Sequence, residues 1–161
     1  MYKFISLILL LVGSLTFSYA NSTSNNTVSI QSNNQELEQL GDGNLRSVFV
    51  GNVVVIYNKT TTIRADRVVA SNINGKRTIV ATGNNVVLTN QQREFRLDCR
   101  ELTFDVNSGV VTAINGTAVL QTNNISGNVL IYNVNTGNIT AKGSSSTQVK
   151  TILNSSSSSN K

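Results

Sequence analysis

Histidine, tryptophan and proline are missing from the 161 residues, and cysteine occurs once, as Cys99. Without histidine there is no Ser-His or Cys-His pair to activate a nucleophile. With no histidine and one cysteine a zinc site lacks its usual ligands, so neither a metal nor another cofactor is expected. A single cysteine makes no intramolecular disulfide. Charged residues are 13% and aromatic residues 6%. The basic residues are spread from Arg46 to Lys150 with no dense run and no aromatic platform beside them, which argues against nucleic acid as a partner. No segment holds a helical period over ten residues. No carboxylate pair sits in a recognisable hydrolase motif, and Gly51-Asn52 is not followed by a helix that could seat a phosphate. An enzyme is therefore not expected.

What the chain does contain is short apolar runs separated by glycine, asparagine, serine and threonine, the composition of many strands joined by tight turns. The stretch Ser47 to Val69 sets the pattern. Phe49, Gly51, Val53, Val55 and Tyr57 alternate on one face of a strand, Asn58-Lys59-Thr60 turns, and Ile63, Ala65, Val68 and Ala70 follow. The step from 65 to 68 is odd, and an odd step inverts the faces of a strand unless a bulge absorbs it. The same interrupted alternation returns as Leu97, Cys99, Leu102, Phe104 and as Ile125, Gly127, Leu130, Tyr132, with a weaker copy at Ile30, Ser32, Gln35, Leu37. Between them recur Gly51-Asn52-Val53, Gly83-Asn84-Asn85-Val86 and Gly116-Thr117-Ala118. Repeats at this spacing mean stacked units that bury a face only together. Cys99 occupies the slot of Ala65 and Gly127, which makes it a small buried side chain.

In chain order, Met1 to Ala20 reads as a cleavable signal peptide. Lys3 charges its start, Phe4 to Phe17 is its apolar core, and Ser18-Tyr19-Ala20 suits cleavage. Its removal lowers the net charge from +5 to about +4. Residues 21–27 are polar and expected to be disordered. Strands are expected at Val28–Ser32, Gln35–Leu40 (with Leu37 pointing inward), Thr78–Thr89, Phe95–Val106, Val110–Gln121, Ile125–Val134, Asn138–Gly143 and Thr147–Leu153. Asn74-Gly75 marks a tight hairpin. The domain thus spans residues 28–153, and the Ser-rich 154–161 has nothing to bury. Arg64 and Arg67 with Asp66, and Arg96 and Arg100 with Asp98, read as cross-strand ion pairs on the wet face. The apolar face comprises Val28, Ile30, Phe49, Val53, Val55, Ile63, Val86, Leu88, Phe95, Leu97, Leu102, Phe104, Val106, Ala118, Leu120, Ile125, Leu130 and Tyr132. With no helix to cover it, the sheet must fold on itself to a dry core or hold an apolar ligand between its walls.

The order and spacing of Val28-Ser29-Ile30-Gln31-Ser32, Phe49-Val50-Gly51-Asn52-Val53-Val54-Val55, Ile63-Arg64-Ala65-Asp66-Arg67-Val68-Val69, Gly116-Thr117-Ala118-Val119-Leu120-Gln121 and Asn124 to Tyr132 resemble the OstA-like family of LptA-type periplasmic lipopolysaccharide-transport proteins. The likeness runs from Val28 to Leu153. It implies an all-β fold, an open antiparallel β-jelly-roll or folded trough built from hairpins, whose apolar interior carries the acyl chains of lipopolysaccharide (lipid A). It implies a periplasmic location, end-to-end homo-oligomers, and inner-membrane LptC-like and outer-membrane LptD-like partners. It also places Val28, Ile30, Leu88, Leu102, Phe104 and Val106 on the lipid groove. With the apolar face above, the expected groove is Val28, Ile30, Phe49, Val53, Val55, Ile63, Leu88, Phe95, Leu97, Leu102, Phe104, Val106, Leu120 and Tyr132. Two other readings stand beside this one: an adhesive β-repeat module acting through its edges, and a membrane-anchored LptC-like relative.

Overall fold

A computed structural model describes residues 26–154. The expected signal peptide, most of residues 21–27 and nearly all of the Ser-rich tail lie outside the described residues. Ten strands form one antiparallel sheet: β1 (Val28–Gln31), β2 (Asn34–Gly41), β3 (Asn44–Tyr57), β4 (Thr61–Ile73), β5 (Lys76–Asn90), β6 (Phe95–Asp105), β7 (Val110–Leu120), β8 (Asn123–Asn133), β9 (Ile139–Lys142) and β10 (Lys150–Ile152). From β3 to β8 each strand pairs with the next in sequence. At one end β1 and β2 both pair with β3, and at the other β9 and β10 both pair with β8, so the sheet does not close. Among the described residues the only helical element is a 3-10 turn, Gln91–Arg93. The all-β architecture is the one the alternation predicts, and its openness is the one the family resemblance implies. β10 is shorter than the expected Thr147–Leu153 strand.

The odd steps are where the sheet folds. Val50 pairs with Arg67 but Val53 with Ala65, so Gly51 and Asn52 stand opposite Asp66 alone. Gly51 and Asn52 both have positive φ, 84° and 48°, a backbone that glycine and asparagine tolerate best. β5 carries the matching excess: Thr82 pairs with Glu101 and Val86 with Cys99, with the Gly83-Asn84-Asn85 bulge between. Ala65 and Val68 are both buried, as are Cys99 and Leu102, so the apolar face stays on the same side across each step. The bulges align across the sheet and form a crease. One limb holds the β1 end of β3 with its neighbours, and the other holds β2 and β9 with theirs.

The two limbs face each other. The Tyr57 ring of the first limb meets Phe104 of the second edge-on at 5.0 Å, and Phe95 stacks on Tyr132 at 3.8 Å. The buried side chains form one cluster spanning both limbs. Each large aliphatic or aromatic member contributes about 1.5–3 kcal/mol by leaving water.

Leu37 departs from expectation. It pairs with Ser47 in β2, yet it is 59% exposed. The facing limb ends at the four-residue β1, so no described strand lies over it. The charged pairs also differ. Arg96 and Asp98 pair at 2.6 Å within one strand, and the cross-strand pair is Arg46–Glu38 at 3.3 Å. Asp66 instead accepts the Asn84 backbone N–H at 2.9 Å, tying the crease of β4 to that of β5. Exposed pairs of this kind contribute under about 1 kcal/mol.

Candidate functional site

Strand alternation directs the expected groove residues inward from both limbs. Val53, Val55, Ile63, Leu88, Phe95 and Leu97 come from the first limb, and Phe49, Leu102, Phe104, Val106 and Tyr132 from the second; each is at most 7% exposed. Val28, Ile30 and Leu120 are half-buried and pack against this cluster. All fourteen therefore meet in one interior, filled along much of its length by side chains such as the Phe95–Tyr132 and Tyr57–Phe104 pairs.

At the β1 end the interior opens. A cleft of about 450 Å³ lies between the limbs, with Val28 and Ile30 on one wall and Ala70, Ile79 and Val106 on the other. Leu45 and Ser47 extend the second wall toward β2, and Asn26, Thr27, Asn72 and Arg77 form a polar rim. The volume lies within the range of about 300–1,000 Å³ typical of ligand sites. Of the expected groove residues, Val28, Ile30 and Val106 line this mouth; of the other eleven, ten are buried and Leu120 is half-buried. Ala70 and Ile79 were not among the expected residues. Ile79 and Ala81 alternate correctly, but the Gly83-Asn84-Asn85 bulge shifts their parity relative to Val86 and Leu88, which masks the shared face.

The interior has little acid–base character. Burial pushes the Cys99 thiol up to about 11, only partly opposed by its backbone hydrogen bond at Glu101, so the thiol stays neutral near pH 7. Burial also raises Tyr57 and Tyr132, and both hydroxyls are buried without a hydrogen-bond partner. Thr61 and Asn90 are buried polar residues that satisfy each other: Asn90 Nδ2 donates to Thr61 Oγ1 at 3.1 Å. Asn90 Oδ1 in turn accepts the Arg93 backbone N–H at 3.2 Å and caps the 3-10 turn. Among the described residues no group of three or more acidic, cysteine or histidine side chains is placed to hold a metal. Nor is any described helix long and apolar enough to cross a membrane. The arrangement is suited to holding an apolar chain, with a polar rim where that chain would emerge.

Residues 29–138 match the family described as LptA/(LptD N-terminal domain) LPS transport protein. No curated protein matches the sequence. Among solved structures the fold is similar to that of LptH, the LptA homologous periplasmic component of the lipopolysaccharide transport device from Pseudomonas aeruginosa. That match has a TM-score of 0.70 and 14% identity, and covers 80% of this chain and 96% of LptH.

Proposed function

Because the chain belongs to the LptA/(LptD N-terminal domain) family of LPS transport proteins, we propose that it carries lipopolysaccharide across the periplasm with the lipid A acyl chains held between its two limbs. The observation that carries this reading is the continuous apolar interior, opening at the β1 end through the cleft walled by Val28, Ile30, Ile79 and Val106. Acyl chain resists water by about 0.8 kcal/mol per CH₂, so each long chain needs shelter worth roughly 8–10 kcal/mol. The fold is suited to give way to such a chain. The ladder hydrogen bonds run within each limb, whereas the limbs meet mainly through side chains, so they can part about the crease with the sheet intact. The protein is a carrier that performs no covalent chemistry on its cargo.

The sheet ends support a bridge of several copies. β2 is exposed along its whole length, and its outer edge has no strand partner among the described residues. β10 is likewise exposed at the opposite end, next to Leu153, which is 77% exposed. Unpaired strand edges accept another strand. A neighbouring copy, an LptC-like component at the inner membrane and an LptD-like component at the outer membrane are the proposed partners. Residues 1–20 act as the signal peptide that delivers the chain.

Lipopolysaccharide capture tests the reading. Phe104 is fully buried, so a charge there would unfold the sheet. Ile30 is half-buried at the mouth, where a carboxylate reaches water yet opposes an acyl chain. The wild type and Val50→Asp, on the exposed outer face, should capture lipopolysaccharide, and a folded Ile30→Asp should capture at least tenfold less. Absence of capture by the folded wild type would overturn the carrier in favour of an edge-acting module.

A further inference from the structure

Where the ends of the two limbs approach, opposite the crease, they form a seam, and polar groups bridge it. Arg93 Nη2, beside the β5–β6 turn of the first limb, donates to the Asn135 carbonyl after β8 in the second. Arg77 Nη1, in β5 of the second limb, donates to the Asn26 carbonyl at 3.4 Å, next to the β3–β4 turn of the first. Beside the first bridge lies a cleft of about 290 Å³ walled by Tyr57, Asn58, Thr61, Arg93, Val134 and Asn135, while Arg77 and Asn26 sit farther along the seam on the rim of the mouth.

Three features of this seam lack a purely structural explanation. Both arginines are half-buried, and the groups they bond are neutral carbonyls. Among the described residues the ion pairs are Arg46–Glu38 and Arg96–Asp98, so neither seam guanidinium meets a carboxylate; Glu94, next to Arg93, is exposed and unpaired with it. Finally, Tyr57 lines the cleft at 2% exposure with a hydroxyl that has no hydrogen-bond partner. An orphaned buried hydroxyl keeps its desolvation penalty unless something bonds it.

The cationic field reaches both buried phenols. Burial pushes Tyr57 up, while the nearby Asn58 side chain, which does not reach hydrogen-bond geometry with the hydroxyl, and the Arg77 charge pull the other way. Burial pushes Tyr132 up and Arg93 opposes it. Two uncompensated guanidiniums beside an unpartnered hydroxyl donor form a seat for tetrahedral anionic oxygens. Arginine's planar fork matches phosphate, and such charge-assisted bonds are about twice as strong as neutral ones. The apolar interior lies directly beneath, through Tyr57 against Phe104 and Tyr132 against Phe95.

We propose that the seam cleft between Arg93, Tyr57 and Asn135, together with Arg77, binds the phosphate of an acylated, phosphorylated glycolipid whose chains lie between the limbs. This rests on the carrier reading above and names the part of the cargo that the seam recognises. The polar head then stays at the seam in water while the chains enter the interior from the same side.

The experiment measures binding of purified lipid A with its phosphates, and of the same lipid A chemically dephosphorylated, to the full chain, Arg93→Gln and Tyr57→Phe. Wild type should lose about tenfold in affinity when the phosphates are removed. Arg93→Gln should bind the phosphorylated form severalfold more weakly and lose little more on dephosphorylation. Tyr57→Phe should behave similarly while its melting temperature is unchanged or higher, a combination that damage to the fold would not produce. Inorganic phosphate added as competitor separates the sources: displacement of lipid A only at concentrations far above that of the lipid supports the lipid headgroup, and displacement at matching concentrations overturns it in favour of free phosphate. Equal wild-type affinity for both lipid A forms overturns the phosphate seat and leaves the carrier standing. No binding of either form by the folded wild type overturns both.

Discussion

The rings of Phe95 and Tyr132 lie 3.8 Å apart and within 13° of parallel, one from each limb of the same folded sheet. β6 and β8 are separated in that sheet by β7, so this contact crosses the interior instead of following the ladder. It is a direct measure of limb closure. Phe95→Ala should destabilise the chain by about 3–5 kcal/mol. A double-mutant cycle with Tyr132→Ala should return a coupling of about 1 kcal/mol, measured by urea unfolding. Strict additivity of the two substitutions would show that the limbs do not close on these rings in solution.

The crease gives a second test through two glycines of similar backbone. Gly51 has φ 84°, and a Cβ there would lie 2.8 Å from Asn33 Nδ2. Gly75 has φ 78° with nothing within 4 Å of its Cβ position. Gly75→Ala should cost about 1 kcal/mol, the left-handed backbone alone, and Gly51→Ala about 2 kcal/mol because Asn33 must also move. The two denaturation midpoints decide it, and equal midpoints would mean that Asn33 yields freely.

Asn90 serves two partners at once, the Thr61 hydroxyl and the backbone N–H of Arg93. Asn90→Ala leaves a buried threonine oxygen unpaired and uncaps the turn that carries Arg93. A loss of about 2–3 kcal/mol in thermal or urea unfolding is expected. Thr61→Val should cost less, because Asn90 retains its cap.

Cys99 predicts a stability that falls in alkali. Its pKa is raised from 9.0 to about 11 in the folded chain, so between those values the unfolded chain releases the thiol proton while the folded one keeps it. The contribution is fully present below pH 9 and is lost as pH rises toward 11, up to about 2 kcal/mol. The buried tyrosines add to the same decline from their own higher starting point near pH 10. Urea midpoints for wild type and Cys99→Ala, taken from pH 8 to pH 10, should diverge less as pH rises, with the wild type showing the earlier decline. Parallel curves would place the thiol in water.

Much of this fold could be read from alternation. The interrupted steps at Ala65–Val68 and Cys99–Leu102 announced both the strands and the break within them, because a two-residue period leaves a visible scar when one residue is inserted. Which strand carries the excess was not legible. The odd step is plain in β4 and β6, whereas the bulged residues sit in β3 and β5, at Gly51-Asn52 and Gly83-Asn84-Asn85. Leu37 shows the other limit: alternation gives its face, but burial also needs a facing layer, and no sequence pattern counts the strands opposite. The seam escaped for a related reason. Arg93 and Asn135 are 42 residues apart and meet only because the crease folds the sheet over. Nothing local to either residue signals that meeting.

The pairing order has a consequence for how the molecule is made. From β3 to β8 every strand adds to the one synthesised just before it. Each hairpin closes a short loop, the least entropically demanding way to build a sheet. The early strands can thus zip while the later ones are still being made, and no distant segment must arrive first. The slow event is the one that hairpins cannot supply: the final clasp of one limb upon the other.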